Sequence, residues 1–186
     1  MEKKLDLRVI KTRAALTDAL YHLMSEKSLN EITVTELCDR AVIRKATFYK
    51  HFRDKTELLV YMIQEMMRQA EENNEIEYDR NNPFSYYVGA LRYLLEFIDG
   101  NDRFIGNVLR SDSGSYVCGI LMEQIRRKAD ERLQQEERED VRTSHAMLSA
   151  TFAGAIVGCG IWWAKQEDQP DKETVIRQFG EFISRM

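Results

Sequence analysis

A short run of basic, hydroxyl and aromatic residues near the N-terminus has the composition of a surface that contacts a polyanion. Residues 44–55 read RKATFYKHFRDK and contain five Lys and Arg residues against one Asp, a net charge of +4. On a helical wheel Phe48 and Phe52 fall on one side, which must pack into a core, whereas Ala46 and Lys50 fall on the opposite side. Basic side chains pair with phosphates and can reach guanine edges in the major groove. The run therefore predicts a helix that lies against a nucleic acid duplex.

The elements around this run predict a helix-turn-helix. Thr33 and Glu36 form the T-x-x-E pattern of a capping box, which opens a short helix. A turn at residues 42–44 leads into a second short helix over residues 45–51, and a longer helix over about residues 7–26 precedes the pair. Two short helices joined by a tight turn after a supporting helix form a unit whose second helix enters the major groove.

The rest of the chain is also predicted to be helical. Its apolar residues recur with a helical period in segments near residues 54–72, 84–98, 102–109, 116–135, 141–165 and 172–185. We therefore expect an all-α protein of about nine helices. Its predicted parts are an N-terminal three-helix helix-turn-helix DNA-binding domain, residues 1–53, and a C-terminal helical domain, residues 54–186.

The charge distribution agrees with this division. Residues 1–60 carry 12 Lys and Arg against 9 Asp and Glu, a net charge of +3. Residues 61–186 carry 15 against 22, a net charge of −7. A basic head on an acidic body predicts that the head meets a polyanion and that the body does not.

Sequence patterns of enzymes and metal sites are missing. The sequence has no P-loop, GxGxxG, HExxH or GxSxG motif, and its three histidines are scattered. The cysteines are Cys38, Cys118 and Cys159, far apart in apolar helical patterns, which predicts buried reduced thiols, with a redox switch as the alternative. We expect no enzymatic activity, no metal and no cofactor.

The N-terminus and the longest apolar stretch bear on localisation. The chain opens with Met-Glu-Lys-Lys and lacks the apolar core of a secretory signal, so we expect a cytoplasmic protein. Residues 146–164 are long enough to span a bilayer. Their many Ala and Gly residues, interrupted by Ser149 and Thr151, favour a helix in a tight helix–helix seam, with no membrane partner.

Residues 32–58 resemble the signature of TetR-family transcriptional regulators. The matching elements are I-T-V-T-E-L for the first helix, A-x-I-x-x-x-T-F-Y-x-H-F for the turn and recognition helix, and D-K-x-x-L for the next helix. The resemblance implies base-edge contacts by Thr35, Lys45, Ala46 and Tyr49. It implies phosphate contacts by Thr33, Val34 (through its backbone amide), Thr47, Lys50, His51 and Lys55. Three alternatives stay open: Thr33 as a cap only, His51 bonded within the module, and Lys50 as a solvated surface residue.

Two positions depart from the family pattern. Val42 stands where the family often has Gly, at a turn that favours a left-handed residue, and a β-branched residue is unfavourable there. We therefore expect a turn of different shape. Arg44 stands where the family usually has a small hydroxyl residue, which removes an N-cap and adds a positive charge, and we expect Arg44 to be one of the DNA-binding residues.

Small residues near the C-terminus predict a subunit interface. Ala146, Ala150, Gly154 and Gly158 recur every four residues and would let another helix approach closely. Ile161 flanks them, and Phe179 and Phe182 of the last helix complete a four-helix seam, as the resemblance also implies. Packing within one subunit is the alternative. Two DNA half-sites one helical turn apart require a two-fold symmetric protein, so we expect a homodimer on double-stranded DNA.

The function of the body follows from the resemblance. In related regulators the middle helices enclose an inducer, and our candidate ligand-binding residues are Tyr93, Phe97, Met122 and Trp162, with plain core as the alternative. The resemblance implies a repressor that a small-molecule effector releases from a palindromic operator. The body also faintly resembles regulators of dihydroxyacetone kinase operons, so the alternative is a TetR-fold factor, acting as an activator, that a protein co-regulator controls.

Overall fold

Helices are the only long secondary-structure elements in the part of the chain that the structure describes. The computed structural model describes residues 7–73, 76, 79, 82, 84–112, 114–134 and 142–185. The helices there are α1 (Leu7–Glu26), α2 (Val34–Arg40), α3 (Lys45–His51), α4 (Lys55–Glu72), α5 (Ser85–Asp99), α6 (Asp102–Arg110), α7 (Gly114–Gln134), α8 (Arg142–Ala164) and α9 (Lys172–Ile183). A turn of 3₁₀ helix, Leu29–Glu31, follows α1, where the sequence predicted only a break. The all-α prediction of about nine helices is confirmed.

The chain divides into two compact units. The first comprises Met1–Met66 and Arg103–Ser115, and the second comprises Met67–Asp102 and Tyr116–Met186. Helix α4 begins in the first unit and ends in the second, and α6 belongs to the first unit although it lies far along the chain. The domain boundary between residues 53 and 54 stays a prediction.

Side chains from four helices form the core of the first unit. Leu16 and Leu20 of α1, Leu37 of α2, Phe48 of α3 and Leu58 of α4 are each 0% exposed. Burying such a side chain stabilises a fold by roughly 1.5–3 kcal/mol. Helices α2 and α3 have seven residues each, too few to be stable in isolation. The shared core therefore holds both helices in place.

Helix α6 closes the C-terminal end of α1 within the first unit. The rings of Tyr21 and Phe104 stack with centroids 5.2 Å apart. Asn107 Nδ2 donates a hydrogen bond to the carbonyl oxygen of Met24 at 3.1 Å. The last four carbonyls of an α-helix have no partner within the helix, so Asn107 satisfies one that α1 leaves open.

The second unit is built on the contact between α5 and α8. Tyr87 OH and Ser149 Oγ lie 3.2 Å apart, and both residues are buried. A Cβ atom at Gly160 would lie 2.7 Å from Leu94 Cδ2, so a larger residue there would force the Leu94 side chain of α5 to shift. Helix α9 joins α5 through an Arg92–Glu173 ion pair and a Lys172–Asp99 ion pair of 2.5 Å.

Candidate DNA-binding site

The predicted capping box at the start of α2 is present. The backbone N–H of Glu36 donates to Thr33 Oγ1 at 3.2 Å, and the backbone N–H of Thr33 donates to Glu36 Oε2 at 2.9 Å. Glu36 also forms an ion pair with Lys27. The hydrogen bond from Lys27, followed by those from Thr33, lowers the pKa of Glu36 from 4.5 to about 2. These contacts fix the entry of the chain into α2.

The hydroxyl of Thr33 is occupied by this capping arrangement. It donates to Glu36 Oε2 at 3.0 Å while it accepts from the Glu36 backbone N–H. A phosphate contact by the same hydroxyl would have to displace a charged acceptor. Of the two interpretations of Thr33, the structure therefore favours the cap.

Val42 adopts the left-handed conformation in the turn between α2 and α3. Its φ is 55°, and its side chain is 91% exposed. The backbone N–H of Ile43 donates to the Cys38 carbonyl at 2.8 Å, which closes the turn. The prediction of a turn of different shape is wrong, because Val42 takes the strained conformation itself. The left-handed region costs an L-residue about 1–2 kcal/mol, and the surrounding helices supply this.

Helix α3 has one buried side and one exposed side. Phe48 and Phe52 are 0% and 4% exposed, and their rings pack with centroids 6.0 Å apart. On the other side Ala46 and Lys50 are exposed, and Tyr49 is 59% exposed. The side of α3 that is predicted to face DNA is therefore exposed. The two buried phenylalanines hold the helix on the core of the first unit. Arg44, at the N-cap position, makes no side-chain capping hydrogen bond, as the sequence predicted.

The basic residues of the first unit differ in whether they form an ion pair. Three basic side chains elsewhere in the unit, Lys27, Arg40 and Arg53, form ion pairs with glutamates, as in the Arg40–Glu26 pair at 2.7 Å. Arg44, Lys45 and Lys50 form no ion pair with any residue in the described ranges. These three cations surround the exposed side of α3, which we call the recognition face (Lys45, Ala46, Tyr49 and Lys50). The recognition face is therefore a site of uncompensated positive charge.

Lys55, for which the resemblance implied a phosphate contact, binds backbone carbonyls ahead of α2. Its Nζ donates to three backbone carbonyls, those of Leu29 at 2.8 Å, Asn30 at 3.1 Å and Ile32 at 2.7 Å. An ammonium group has three protons, and all three are used. Burial lowers the pKa of Lys55. Lys55 therefore braces the 3₁₀ turn ahead of α2, and its implied phosphate contact stays a prediction.

His51 lies half-buried at the C-terminal end of α3, beside a cation from α1. Burial, and then the positive charges of Arg13 and Lys50, lower the pKa of His51. The guanidinium carbon of Arg13 lies 5.8 Å from the Phe52 ring centroid and 5.0 Å from that of Tyr61. Arg13 could not be predicted at this site from local patterns, because the residues around it come from distant parts of the chain.

The remaining predicted DNA-contact residues occupy both short helices. Thr35 of α2 is exposed, whereas Val34 of α2 and Thr47 of α3 are half-buried. The structure brings α2 and α3 together at the turn that Val42 closes. The predicted contacts of these residues with bases and phosphates stay predictions.

The predicted subunit interface lies on the side of α8 away from α5. Ala146, Ala150 and Gly158 are exposed, and a Cβ atom at Gly154 or Gly158 would meet nothing within 4 Å. Ile161 is half-buried. In α9, Phe182 is 60% exposed, but Phe179 is 7% exposed and packs within its own subunit. The four small residues of α8 with Phe182 form what we call the small-residue face.

One described helix is long and apolar enough to cross a membrane. This is α8 over Ala146–Ala164, of which 39% is buried. The core helix of a globular protein passes the same test. Its open side coincides with the small-residue face.

The ligand candidates do not share one environment. Tyr93, Phe97 and Met122 are half-buried, whereas Trp162 is 47% exposed. The buried tryptophan is Trp163, whose Nε1 donates to the Pro170 carbonyl at 2.8 Å. Trp163 follows Gly160 by three residues and so shares the face of α8 that packs against α5. Trp162 was therefore the wrong choice for an enclosed site.

The prediction of three buried thiols holds for one cysteine only. Cys38 is 1% exposed, but Cys118 and Cys159 are half-buried. Burial raises the pKa of each of these thiols, which favours the unreactive protonated form.

Family models match both parts of the chain. The model described as bacterial regulatory proteins of the tetR family matches residues 16–62, which include α2 and α3. A second model, described as a transcriptional regulator C-terminal region, matches residues 86–185, more than half of the chain.

Curated relatives match over shorter stretches. The uncharacterized HTH-type transcriptional regulator YxbF of Bacillus subtilis (strain 168) is 44% identical over 64 residues, which cover 34% of this chain and 17% of YxbF. An uncharacterized HTH-type transcriptional regulator of Haemophilus influenzae is 32% identical over 109 residues, 56% of this chain and 52% of that protein. The chain thus spans about half, or less, of the length of these relatives.

Solved structures share the fold over almost the whole chain. Lin0861 from Listeria innocua superposes with a TM-score of 0.67 at 18% identity, covering 99% of this chain and 95% of that one. The dihydroxyacetone kinase operon activator DhaS superposes with a TM-score of 0.59 at 20% identity, covering 94% of each chain. At these identities the likeness concerns the fold alone. Together with the two family models, it shows that the chain belongs to the TetR family of DNA-binding transcriptional regulators.

Proposed function

We propose that the protein is a homodimeric repressor that binds a palindromic operator in the cytoplasm and is released by a small-molecule effector. Residues 1–53 would bind DNA, and residues 54–186 would dimerise and bind the effector. The observation that carries the DNA-binding part is the set of cations around the recognition face. Charges without a protein partner are free to neutralise phosphates, which supplies most of the affinity for duplex DNA.

The contacts divide by what each side chain can reach. We propose that Thr35, Lys45, Ala46 and Tyr49 contact base edges. We propose that Arg44, Thr47, Lys50, His51 and the backbone amide of Val34 contact phosphates. Thr33 and Lys55 are left out, because each uses its polar hydrogens within the first unit.

The small-residue face supports the homodimer. An exposed stripe of Ala and Gly lets a second helix approach to backbone distance, and Phe182 of α9 is a further exposed apolar side chain. Two α8 and two α9 helices would meet across a two-fold axis. Such a dimer presents two copies of α3 to half-sites about one turn of DNA apart, roughly 34 Å.

Helix α4 is the proposed link between effector and DNA. It begins beside α3 in the first unit and ends in the second unit. A ligand that tilts α4 would change the separation of the two recognition faces, which would no longer match the half-sites. A coupling free energy of about 1–3 kcal/mol would weaken operator binding by roughly 5- to 150-fold.

Selection of bound sequences from random duplex DNA tests the proposal directly. We expect a palindrome, with half-site centres about 10 base pairs apart. The double variant Tyr49→Ala, Lys50→Ala should lose this preference. Lys165→Ala removes an exposed lysine of the second unit and serves as the matched control. Absence of any preferred sequence for the wild-type protein would contradict the proposed function.

Control by a protein co-regulator, with activation of transcription, is the second candidate. The observation that favours it is the shared fold with the operon activator DhaS over 94% of both chains. A reporter gene behind the selected operator separates the two: deletion of the regulator raises expression for a repressor and lowers it for an activator. Effector compounds titrated into the protein–operator complex should release DNA only under the first candidate.

A further inference from the structure

Arg13 of α1 lies at the end of the recognition helix with no hydrogen-bond acceptor for its buried Nε–H. This Nε–H donates to no acceptor anywhere in the described part of the chain. No acidic residue there forms an ion pair with it. Leaving this buried Nε–H without an acceptor costs free energy in the unbound protein.

The position of the Arg13 side chain is fixed by aromatic rings. Its guanidinium carbon lies 5.0 Å from the ring centroid of Tyr61 and 5.8 Å from that of Phe52, within the range of cation–π contacts. The two rings themselves pack with centroids 5.5 Å apart. Arg13 is therefore held in place before any ligand arrives, which reduces the entropy lost on binding.

The surroundings of Arg13 are positively charged. Arg13 and Lys50 both act on His51, whose pKa they lower together with burial. Cations collected without counter-charge create a local potential that attracts an anion. Because a planar guanidinium donates two parallel hydrogen bonds to a phosphate, a phosphate group matches Arg13 better than it matches a lysine.

We infer that Arg13 donates to a backbone phosphate of the operator, next to the phosphate-contacting end of α3. This inference rests on the proposed function. It extends the DNA-binding surface from α2 and α3 to the first helix, and it gives His51 a cationic neighbour that shares the same stretch of DNA backbone.

The salt dependence of operator affinity tests this contact. A homodimer that loses one phosphate contact per subunit should show a slope of log affinity against log salt that is smaller by about 1.8, since each contact contributes about 0.9. We expect this change for Arg13→Gln. Arg13→Lys should keep most of the slope, because it keeps the charge. Lys11→Gln, which removes an exposed lysine of the same helix, is the matched control and should leave the slope unchanged.

A purely structural role for Arg13 predicts a different result. Arg13→Gln would then melt at a lower temperature but keep the wild-type salt slope, and this outcome overturns the inference. An equal loss of slope in Lys11→Gln and Arg13→Gln also overturns it, because it would reflect net charge alone. Wild-type protein that binds no duplex would overturn both this inference and the proposed function.

A second measurement avoids the Gln variant, should that variant fail to fold. One neutral methylphosphonate is placed at each operator phosphate in turn, and the loss of affinity is compared between wild-type protein and Arg13→Lys. We expect one phosphate in each half-site where the two losses differ by at least about threefold, because only arginine binds it with two hydrogen bonds. Equal losses at every position overturn the inference.

Discussion

The recognition face of α3 and the small-residue face of α8 are both exposed, but they are exposed for opposite chemical reasons. The recognition face carries cations that meet no acidic partner, around an exposed Tyr49. The α8 part of the small-residue face carries only Ala and Gly residues, and a Cβ atom at Gly154 or Gly158 would meet nothing within 4 Å. The first face suits a charged polymer, and the second suits the backbone of another helix.

This contrast teaches that exposure alone does not identify a binding surface. Charge without a partner predicts an interaction that salt weakens, because counterions compete for it. A face of Ala and Gly predicts a helix–helix contact that larger side chains would weaken, because close packing of the two backbones depends on small residues. Substitutions on each face can therefore distinguish the salt-sensitive contact from the size-sensitive one.

The largest loss of operator affinity is expected from larger side chains on the small-residue face of α8. Gly154→Leu with Gly158→Leu should convert the dimer into a monomer, since two leucine side chains would hold the partner helix away. A monomer loses the linkage between its half-sites, so operator affinity should fall by about 10²- to 10⁴-fold. Sedimentation velocity measures the mass, and fluorescence anisotropy measures the affinity.

Gly119→Leu is the matched control for this double variant. Gly119 lies in α7, is exposed and also has nothing within 4 Å of a built Cβ atom. It should stay dimeric. A double α8 variant that sediments as a dimer and binds the operator normally would remove the small-residue face from the interface.

The next largest effect distinguishes Lys50 from Lys55, two lysines for each of which the resemblance implied a phosphate contact. Lys50→Met should leave the melting temperature unchanged and reduce the salt slope of operator affinity by about 1.8, because the dimer loses two phosphate contacts. Lys55→Met should keep the slope and lower the free energy of unfolding by about 1–2 kcal/mol, because three carbonyls lose a charged donor. Urea denaturation measures the stability.

The reverse pattern would exchange the roles of the two lysines. If Lys55→Met lowered the salt slope without loss of stability, then Lys55 would contact DNA in the complex and its hydrogen bonds to the 3₁₀ turn would not contribute to stability. The recognition face would then extend to the first turn of α4.

A smaller effect is expected at the turn beneath the recognition face. Val42→Gly should raise the free energy of unfolding by about 0.5–1 kcal/mol, because relief of the left-handed strain, about 1–2 kcal/mol, exceeds the added chain entropy of glycine. Val42→Ala keeps the unfavourable φ and should change stability little. Thermal melts of both variants would contradict this expectation if Ala stabilised the protein more than Gly.

The smallest effect concerns pH. Glu36 has a pKa of about 2 in the folded protein against an ordinary value of 4.5, so its contribution to stability is complete above pH 4.5 and is lost as the pH falls toward 2. Glu36→Gln should therefore show a flatter fall in unfolding free energy over this interval. Lys27→Gln should shift the loss toward higher pH. Parallel curves for wild type and Glu36→Gln would contradict the assigned contacts.

Local patterns predicted the helices of the first unit well. Helix α3 runs over Lys45–His51 as expected, because Phe48 and Phe52 mark its buried side. The capping box of Thr33 and Glu36 was equally readable, because its two partners are three residues apart. Signals of this kind lie within one turn of the chain and need no tertiary information.

The errors arose where distant segments meet. The carbonyls that bind Lys55 belong to residues more than twenty positions earlier, so the sequence shows only a lysine at a helix start. The packing of α8 on α5 decides that Trp163 is buried and Trp162 exposed, although the two are neighbours. The conformation of Val42 was misjudged because the helices on both sides impose a φ that its own propensity opposes.

The membership of α6 in the first unit has a consequence for attempts to dissect or recombine this protein. Phe104 stacks on Tyr21, and Asn107 caps the end of α1. A fragment that ends at Met66 would therefore lack α6, which packs on α1 within the first unit. A chimera that grafts this head onto another regulator should therefore carry Arg103–Ser115 along, as an insert within the foreign body. The two parts are interleaved in the chain, and modular exchange requires three junctions instead of one.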